Sequence, residues 1–551
     1  MAQGTDGEAF ATSRQNFEEV VGFLGSSEAG ALSHAELEER LFASGRELLR
    51  QLYQDHLDLC CLVEEPLNDV CDQAGVRRPY VETGHRRALA TVFGDVVVDR
   101  LAYRQKGQAN LHVADAVLNV VRYWLDLGRR AEEAGLDLFF FGDVLGLYDT
   151  YRGSAATALE WGVELPAHDP LLHIPALAAV TERIAFGATV STTYEHPFAH
   201  ARRFITLDHL TAGRLGWNIV TSYLPGAARN FGIDFLPHDV RYDRAEEFLE
   251  ITYRLWEGSW EDSAYLGSKE SRQFSDPSRV HPIDHAGAAF QVAGPHLSVP
   301  SPQRTPLIIQ AGWSARGREF AARHAELVFV GDSDPFQIRE GLAGIRARAA
   351  ELGRDPEEIR AVVGLNLLTA PTRMAVQQKL DDFQAHYSAE AQLAAYAGWS
   401  GIDFAQYGDN EPLVKRETNH TQIAASRPDT PPLVAGEVRE RFRTVTAFAD
   451  DRFIGTPDEI AANIALFVEQ SGVDGFLLHQ FVSPGSLDDF AELVVPRLRS
   501  RGLYAEQPRS GTLRSRLRAD RSDRLPASHP AARFRYPAAK NLGPQTDRER
   551  V

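Results

Sequence analysis

Cysteine is nearly missing from this chain: three occur in 551 residues, Cys60, Cys61 and Cys71, all near the start. That excludes a disulfide framework, and no second Cys or His pair follows at finger spacing, which argues against zinc. No run of about 18 apolar residues is present, so no membrane-spanning helix is expected. The opening stretch MAQGTDGEAFATSRQNFEEV has neither the basic nor the apolar segment of a secretory signal. A cytoplasmic protein is the expectation. Positive charge is also in deficit, with 58 Lys and Arg against 76 Asp and Glu. The net charge of −18 argues against a nucleic-acid partner gripped over the whole surface.

The residues that are present, 44% hydrophobic and 24% charged, are those of an ordinary globular protein. The length suits two to four domains, or one βα barrel with insertions. Charge is unevenly spread. From Pro508 to Val551 there are 11 Lys and Arg against 4 Asp and Glu in a Pro-, Ser- and Ala-rich context. Residues 506–551 therefore read as a basic extended C-terminal tail lying on an acidic body.

Two textures meet near residue 120. Before it, GRELLRQLYQDHLDLCC places Leu48, Leu49, Leu52, Tyr53, His56 and Leu57 at helical spacing, with Gly45 and Glu64 outside the helix ends. RALATVFGDVVVDRLAYR alternates around Gly94-Asp95, a β-hairpin pattern. Residues 1–120 form a small α+β segment on this reading. From about Tyr123, short apolar runs alternate with amphipathic helices, the pattern of a parallel sheet. The runs are LDLFFF (136–141), RIAFGATV (183–190), RLGWNIV (214–220), PLIIQAG (306–312), LVFVG (327–331), IRAVVGLNLL (359–368) and DGFLLHQ (474–480). No G-x-G-x-x-G follows any of them, which favours a barrel over a doubly wound sheet. A closed (β/α)8 barrel needs one strand more, and it would have to lie in the first region. The polar stretch 258–305 reads as an insertion at the barrel's functional rim, and 399–444 is similar.

Barrel chemistry sits where strands end. Asp143 follows LDLFFF and puts a carboxylate at the mouth, or else caps the next turn. Thr189 closes the second run. His196 and His200 lack a third ligand, and no metal is assigned. Asn218 is an amide inside an apolar run and must find partners. His238 and Tyr242 are four apart and share a face if a helix begins by Pro237. In PLIIQAGWSARGREF, Ala311 and Gly312 allow close backbone approach and Ser314 stands where a helix N-cap belongs, an arrangement that seats an anion.

Together these stretches resemble the bacterial luciferase-like flavin-dependent monooxygenases, in the class of the nitrilotriacetate, dibenzothiophene sulfone and long-chain alkane monooxygenases. The resemblance covers about 121–505 and rests on FGDVLGLYDTYRGS, STTYEHPFAHARRFITLDHLTAGRLGWNIVTS, HDVRYDRAEEF, PLIIQAGWSARGREFAARHAE, GWSGIDF and DGFLLHQFVSPGSLDDFAELVVP. It implies a luciferase-like (β/α)8 TIM barrel that uses FMN, as FMNH2, with O2 as co-substrate to oxygenate a small molecule. An NAD(P)H-dependent flavin reductase would supply the FMNH2, and a homodimer or higher homo-oligomer is implied as well. The matching flavin positions are Asp143 and Thr189 near the ring, Ser314 and Tyr242 near the phosphate, with Asn218 and His238; no catalytic residue is assigned. Ala395 stands where the alkane branch has a functional His, and GWSGIDF points instead to an aminopolycarboxylate or sulfone substrate. The class's first strand and its loop are missing. Residues of about 33–119 instead resemble the N-terminal part of an insertion-sequence transposase, stopping before any acidic catalytic core. A second reading follows, a non-catalytic fusion remnant of a monooxygenase gene.

Overall fold

All seven apolar runs form strands, because residues buried on both faces of a parallel sheet leave little room for polar side chains. In the computed structural model, which describes residues 10–63, 80–91, 94–104, 121–413, 434–447, 449–506 and 509–536, they are β1 (Leu138–Phe141), β2 (Ala185–Ser191), β3 (Leu215–Val220), β4 (Leu307–Gln310), β5 (Leu327–Val330), β6 (Arg360–Asn366) and β7 (Gly475–His479). Neighbours pair in parallel, and the order across the sheet follows the chain from β1 to β7 without reversal. A doubly wound sheet reverses at a switch point, so this order is that of a βα barrel.

The sheet is strongly curled. β1 and β5 are four strands apart, about 19 Å in a flat sheet, yet the rings of Phe140 and Phe329 lie 4.6 Å apart edge to face. Inside the curl Ala185, Leu307, Ile309 and Leu327 are buried together, with Leu138, Phe329 and Val362 against them. Outside it, Ala361, Val363 and Leu365 of β6 pack on Ile460, Ile464 and Phe467 of a helix, Pro457–Ser471. Among the described residues the sheet has seven strands, with β1 and β7 at its edges. Their side chains are mostly half-buried, whereas every residue of β2 is buried.

The chain divides into two compact units between Asp126 and Leu127, inside helix α1 (Val121–Glu133), a few residues beyond the expected boundary. The first unit holds helices Ala11–Leu24, Ser27–Ala31 and His34–Val63 and the hairpin Tyr80–Thr91 with Gly94–Arg104. Two local readings need correction. The long helix starts before Gly45, because Ser33 and Glu36 make a capping box in which the Ser33 N–H donates to Glu36 at 2.9 Å and the Glu36 N–H donates to Ser33 at 3.4 Å. Gly94 is already paired with Thr91 and Asp95 with Ala90, so both belong to the second hairpin strand. Among the described residues the hairpin strands pair only with each other.

The tail differs most from expectation. Through residue 536 it is not an extended surface strand. Its short helix, Leu513–Leu517, drives Leu513 into the barrel core beside Leu307 and Ile309, with Leu517 packed against them. Arg514 is fully buried in a pair with Glu326 at 2.6 Å. These are loops and strand starts, so the segment plugs the N-terminal end of the barrel. The stretch 258–305 folds as two small antiparallel ladders, Tyr265–Ser268 with Gln273–Ser275 and His285–Ala286 with Gln291–Val292. Buried Arg304 ties the two ends of this stretch together by donating to the Trp260 carbonyl at 2.7 Å. No helix among the described residues is long and apolar enough to cross a membrane.

Candidate active site

The C-terminal ends of β1 to β4 bring two groups of side chains into place. The first crosses three strands: Asn218 Nδ2 on β3 donates to Thr189 Oγ1 at 2.9 Å, and Thr189 donates to the Phe141 carbonyl of β1 at 2.7 Å. Asn218 and Thr189 are both buried. The other amide atom, Asn218 Oδ1, is buried without a hydrogen-bond partner among the described residues. A buried acceptor left unpaired costs about 1–3 kcal/mol; here it stands ready for an N–H donor. Two residues past Phe141, Asp143 is half-buried, and its carboxyl is pushed up to about 6 by burial first and by the charge of Asp169 second.

The second group forms around helix α2 (His238–Tyr253) and helix α3 (Ala315–His324). Pro237 precedes the first helical residue, so His238 and Tyr242 do share a face, with ring centroids 5.2 Å apart. Ser314 caps α3, accepting the Gly317 N–H at 3.0 Å, and its oxygen lies 3.5 Å from His238 Nε2. His238 Nδ1 faces Asp239 at 2.8 Å. As a donor to that carboxylate, it leaves Nε2 to accept from the serine hydroxyl. Burial raises the Tyr242 phenol, and a hydrogen bond with Ser314 opposes the rise. The backbone comes very close here: a methyl on Gly312 would overlap the Gln310 amide and stand 2.5 Å from Tyr242 Oη. Gln310 Oε1 is likewise buried without a hydrogen-bond partner among the described residues. Helix N-terminus, hydroxyls and close backbone make a cradle of the kind that holds a phosphate.

Sequence reading missed the wall beside this mouth. Tyr148, Ala158, Leu224, Ala227 and Ala395 form an apolar cluster with Tyr223 and Trp399 against it. Helix α4 (Ala389–Ser400) brings Trp399, whose Nε1–H donates to Tyr148 Oη at 2.6 Å, while the Tyr148 and Tyr223 hydroxyls meet at 2.5 Å. Burial holds both phenols neutral. Ser222, just past β3, has φ +56° and donates to Ser191 at 2.8 Å. A left-handed serine at a strand mouth is a strained position. Tyr148 and Trp399 lie in conspicuous motifs, but nothing in their spacing shows that they meet. A separate cavity of about 550 Å3, lined by Glu246, Tyr253, His324 and Arg354 among others, lies at the far ends of α2 and α3 and is not part of this site.

A curled parallel sheet with a candidate anion cradle at one helix start and a buried polar line across its strand ends is the frame of a βα-barrel enzyme. The chain belongs to the luciferase-like monooxygenase family, whose model matches residues 101–475. It is thereby a flavin-dependent monooxygenase. The chain is 45% identical over 416 residues to the long-chain alkane monooxygenase of Geobacillus thermodenitrificans (strain NG80-2), covering 75% of this chain and 91% of that protein. It is 41% identical to the dimethyl-sulfide monooxygenase of Hyphomicrobium sulfonivorans, over 76% of this chain and 88% of that one. Among solved structures, the long-chain alkane monooxygenase LadA superposes with a TM-score of 0.70 at 44% identity, covering 75% of this chain and 92% of that chain. The riboflavin lyase RcaE, solved with modified FMN and riboflavin, superposes with a TM-score of 0.72 at 36% identity, covering 76% and 94%.

Proposed function

We propose that the chain is the oxygenase of a two-component system, taking FMNH2 from a separate NAD(P)H-dependent flavin reductase and oxygenating a small organic molecule. One observation carries this: the His238, Tyr242 and Ser314 cradle stands beside a buried polar line ending in the unpartnered Asn218 Oδ1. The cradle fits the FMN phosphate, held by Ser314 and Tyr242, and the line fits a flavin ring, with Thr189, Asn218 and Asp143 around it. Bound reduced FMN supplies the two electrons that split O2, one oxygen going to the substrate and the other leaving as water. The chain's part is to orient the ring and exclude water. Asp143, with its carboxyl raised to about 6, holds a proton on the acid side of that value and accepts one above it.

The aromatic wall of Tyr148, Tyr223 and Trp399, with Ala395 among its buried residues, supports a compact, weakly charged substrate. Between the aminopolycarboxylate and sulfone types it favours the sulfone. The open edges β1 and β7 support the second reading, a fusion remnant with the flavin site present but idle, in which the first unit derives from a transposase-like segment. A partner reductase that draws on NAD(P)H supports a cytoplasmic location.

Ser314→Ala tests the cradle. It should weaken FMN binding by about 1–2 kcal/mol, roughly 5- to 30-fold, with riboflavin binding little changed. Equal loss for both flavins removes the phosphate assignment. Substrate oxygenation by the parent chain with chemically reduced FMN and O2 separates the enzyme from the remnant.

A further inference from the structure

The cavity at the far ends of α2 and α3 is outside the flavin site, and its walls carry opposite charges. Its volume of about 550 Å3 is within the usual size of a small-ligand pocket, about 300–1,000 Å3. Glu246, Glu247 and Glu250 of α2 make one wall, one to two turns beyond Tyr242. Arg323 at the end of α3, Arg354 just past the helix Pro335–Glu351, and Arg533 make the others. Arg533 belongs to the C-terminal segment, beyond residue 475 where the family match ends.

The protein does not satisfy all of these charges itself. Glu247 accepts the N–H groups of Ala289 and Phe290, both at 2.9 Å, and Glu250 accepts from Arg254 at 2.6 Å. Glu246 Oε2 pairs with His324 Nε2 at 2.9 Å. Its other oxygen, Oε1, is buried with no hydrogen-bond partner among the described residues. Burial opposes the charge of Glu246, but the His324 bond and the nearby Arg323 hold its carboxyl below the ordinary value. On the basic side, Nε of both Arg323 and Arg354 is buried without a partner among the described residues. Arg354 is only 3% exposed, and its Nη1 and Nη2 donate to the Ala322 and Ala325 carbonyls at 3.0 and 2.9 Å. Acid and base meet across the walls at two places, Arg323 Nε with Glu246 Oε1 and Arg533 Nη2 with Glu250 Oε2. Both gaps are 3.8 Å, too long for a hydrogen bond.

A ligand of purely negative charge would meet the bare Glu246 oxygen, and one of purely positive charge would meet three guanidiniums. A ligand with both charges satisfies both walls. The bare acceptor and its nearest bare donor are 3.8 Å apart, so the two charges of the ligand must be neighbours, as they are on a single α-carbon. We propose that this cavity binds an α-amino acid, its ammonium group on Glu246 Oε1 and its carboxylate between Arg323 and Arg354. The ammonium supplies the N–H donor that Glu246 lacks, and a carboxylate accepts from two guanidiniums at once. A molecule held in this way bridges α2, α3 and the loop that carries Arg354. The site is independent of the flavin reading.

Isothermal titration of the full-length chain with each of the common α-amino acids, up to about 10 mM, tests the proposal. Succinate, putrescine, 4-aminobutyrate and glycerol serve as controls: two negative charges, two positive charges, both charges held apart, and none. At least one α-amino acid should bind at one site per chain and raise the melting temperature as its concentration rises. Each control should bind at least tenfold more weakly. Glu246→Gln removes the charge that holds the ammonium and should weaken binding tenfold or more. Arg323→Leu should do the same from the carboxylate side; this side chain is 41% exposed, so its loss leaves the fold and the Glu246–His324 bond in place. No binding by any α-amino acid, a control that binds as tightly, or parental affinity in either folded variant overturns the proposal.

Discussion

Replacing Arg514 with methionine isolates the role of the C-terminal plug. The guanidinium is fully buried and bidentate on Glu326, at 2.6 and 2.9 Å, and it also donates to the carbonyls of Thr305 at 2.8 Å, Asp523 at 3.0 Å and Gln303 at 3.2 Å. Methionine fills much of the volume and removes every donor. Glu326 then keeps one partner, the Ile308 N–H at 3.0 Å, and a carboxylate stripped of its buried counter-ion costs about 3–5 kcal/mol. Three orphaned carbonyls add to this, so about 4–6 kcal/mol is expected, a large part of a stability of about 5–15 kcal/mol. In thermal unfolding the variant should melt about 10 °C or more below the parent. Charge removal on both sides separates the ion pair from packing: Arg514→Met with Glu326→Gln should be less damaging than the two single effects added, by about 2 kcal/mol or more. A single variant within about 1 kcal/mol of the parent, or strict additivity, would show that the tail is not anchored through this pair.

The remaining expectations concern the site. Asp143 has a folded-state pKa of about 6 against an ordinary 3.8, so its contribution favours the folded state below about pH 4 and is lost as pH rises through 6. The full difference is at most about 3 kcal/mol, and partial exposure reduces it to about 1–2. Asp143→Asn should therefore gain stability over the parent between pH 5 and pH 7, and parallel melting curves across that window would refute the assignment. Gly312→Ala should weaken FMN binding tenfold or more, since the added methyl meets the buried Tyr242 hydroxyl at 2.5 Å; isothermal titration that finds parental affinity would show the cradle to be wider than described. The isolated chain with FMN present should not oxidise NADH or NADPH, and absorbance at the nicotinamide band falling without added reductase would contradict the two-component reading.

What could be read from the sequence was what depends on near neighbours. The seven strands showed as apolar runs because β2 and β4 are buried at every position and β3 nearly so. Ser314 was visible as a cap, and His238 with Tyr242 as a helical pair, because each rests on spacings of a turn or less. The Tyr148, Tyr223 and Trp399 contact spans more than two hundred residues and leaves no local mark. Ser222 takes a positive φ that its identity does not announce. The tail misled for a physical reason: counting charge treats every arginine as solvated, but Arg514 and Arg516 are buried and bonded mainly to carbonyls and one carboxylate. Leu513 and Leu517, a helical turn apart among those arginines, were the clue. Gly45 misled in the opposite way, since a glycine costs a helix only about 1 kcal/mol and a capping box upstream outweighs it.

Among the described residues the sheet's open edges and the proposed flavin cradle fall on different parts of the sheet, and that decides which chemistry the edges touch. The cradle rests on α2 and α3, around the end of β4, with β3 and β5 on either side of that strand. His238 and Tyr242 are buried, Ser314 is half-buried, and β4 is paired on both sides. Asp143 follows β1, an edge strand whose residues are mostly half-buried, and its neighbour across the gap would be β7. The plug of Leu513 and Leu517 closes the barrel from below. On the open side, Glu132 of α1 accepts the backbone N–H groups of Arg183 at 2.6 Å and Ile184 at 2.7 Å, tying the helix directly to the start of β2. These contacts brace the lower half of the wall; at the upper end of β1, Phe141 is paired with β2 and its ring stacks on His173 at 5.8 Å. On the proposed function, phosphate recognition is therefore the robust part of the site, and the orientation of whatever lies against Asp143 is the part most exposed to the open edge of β1.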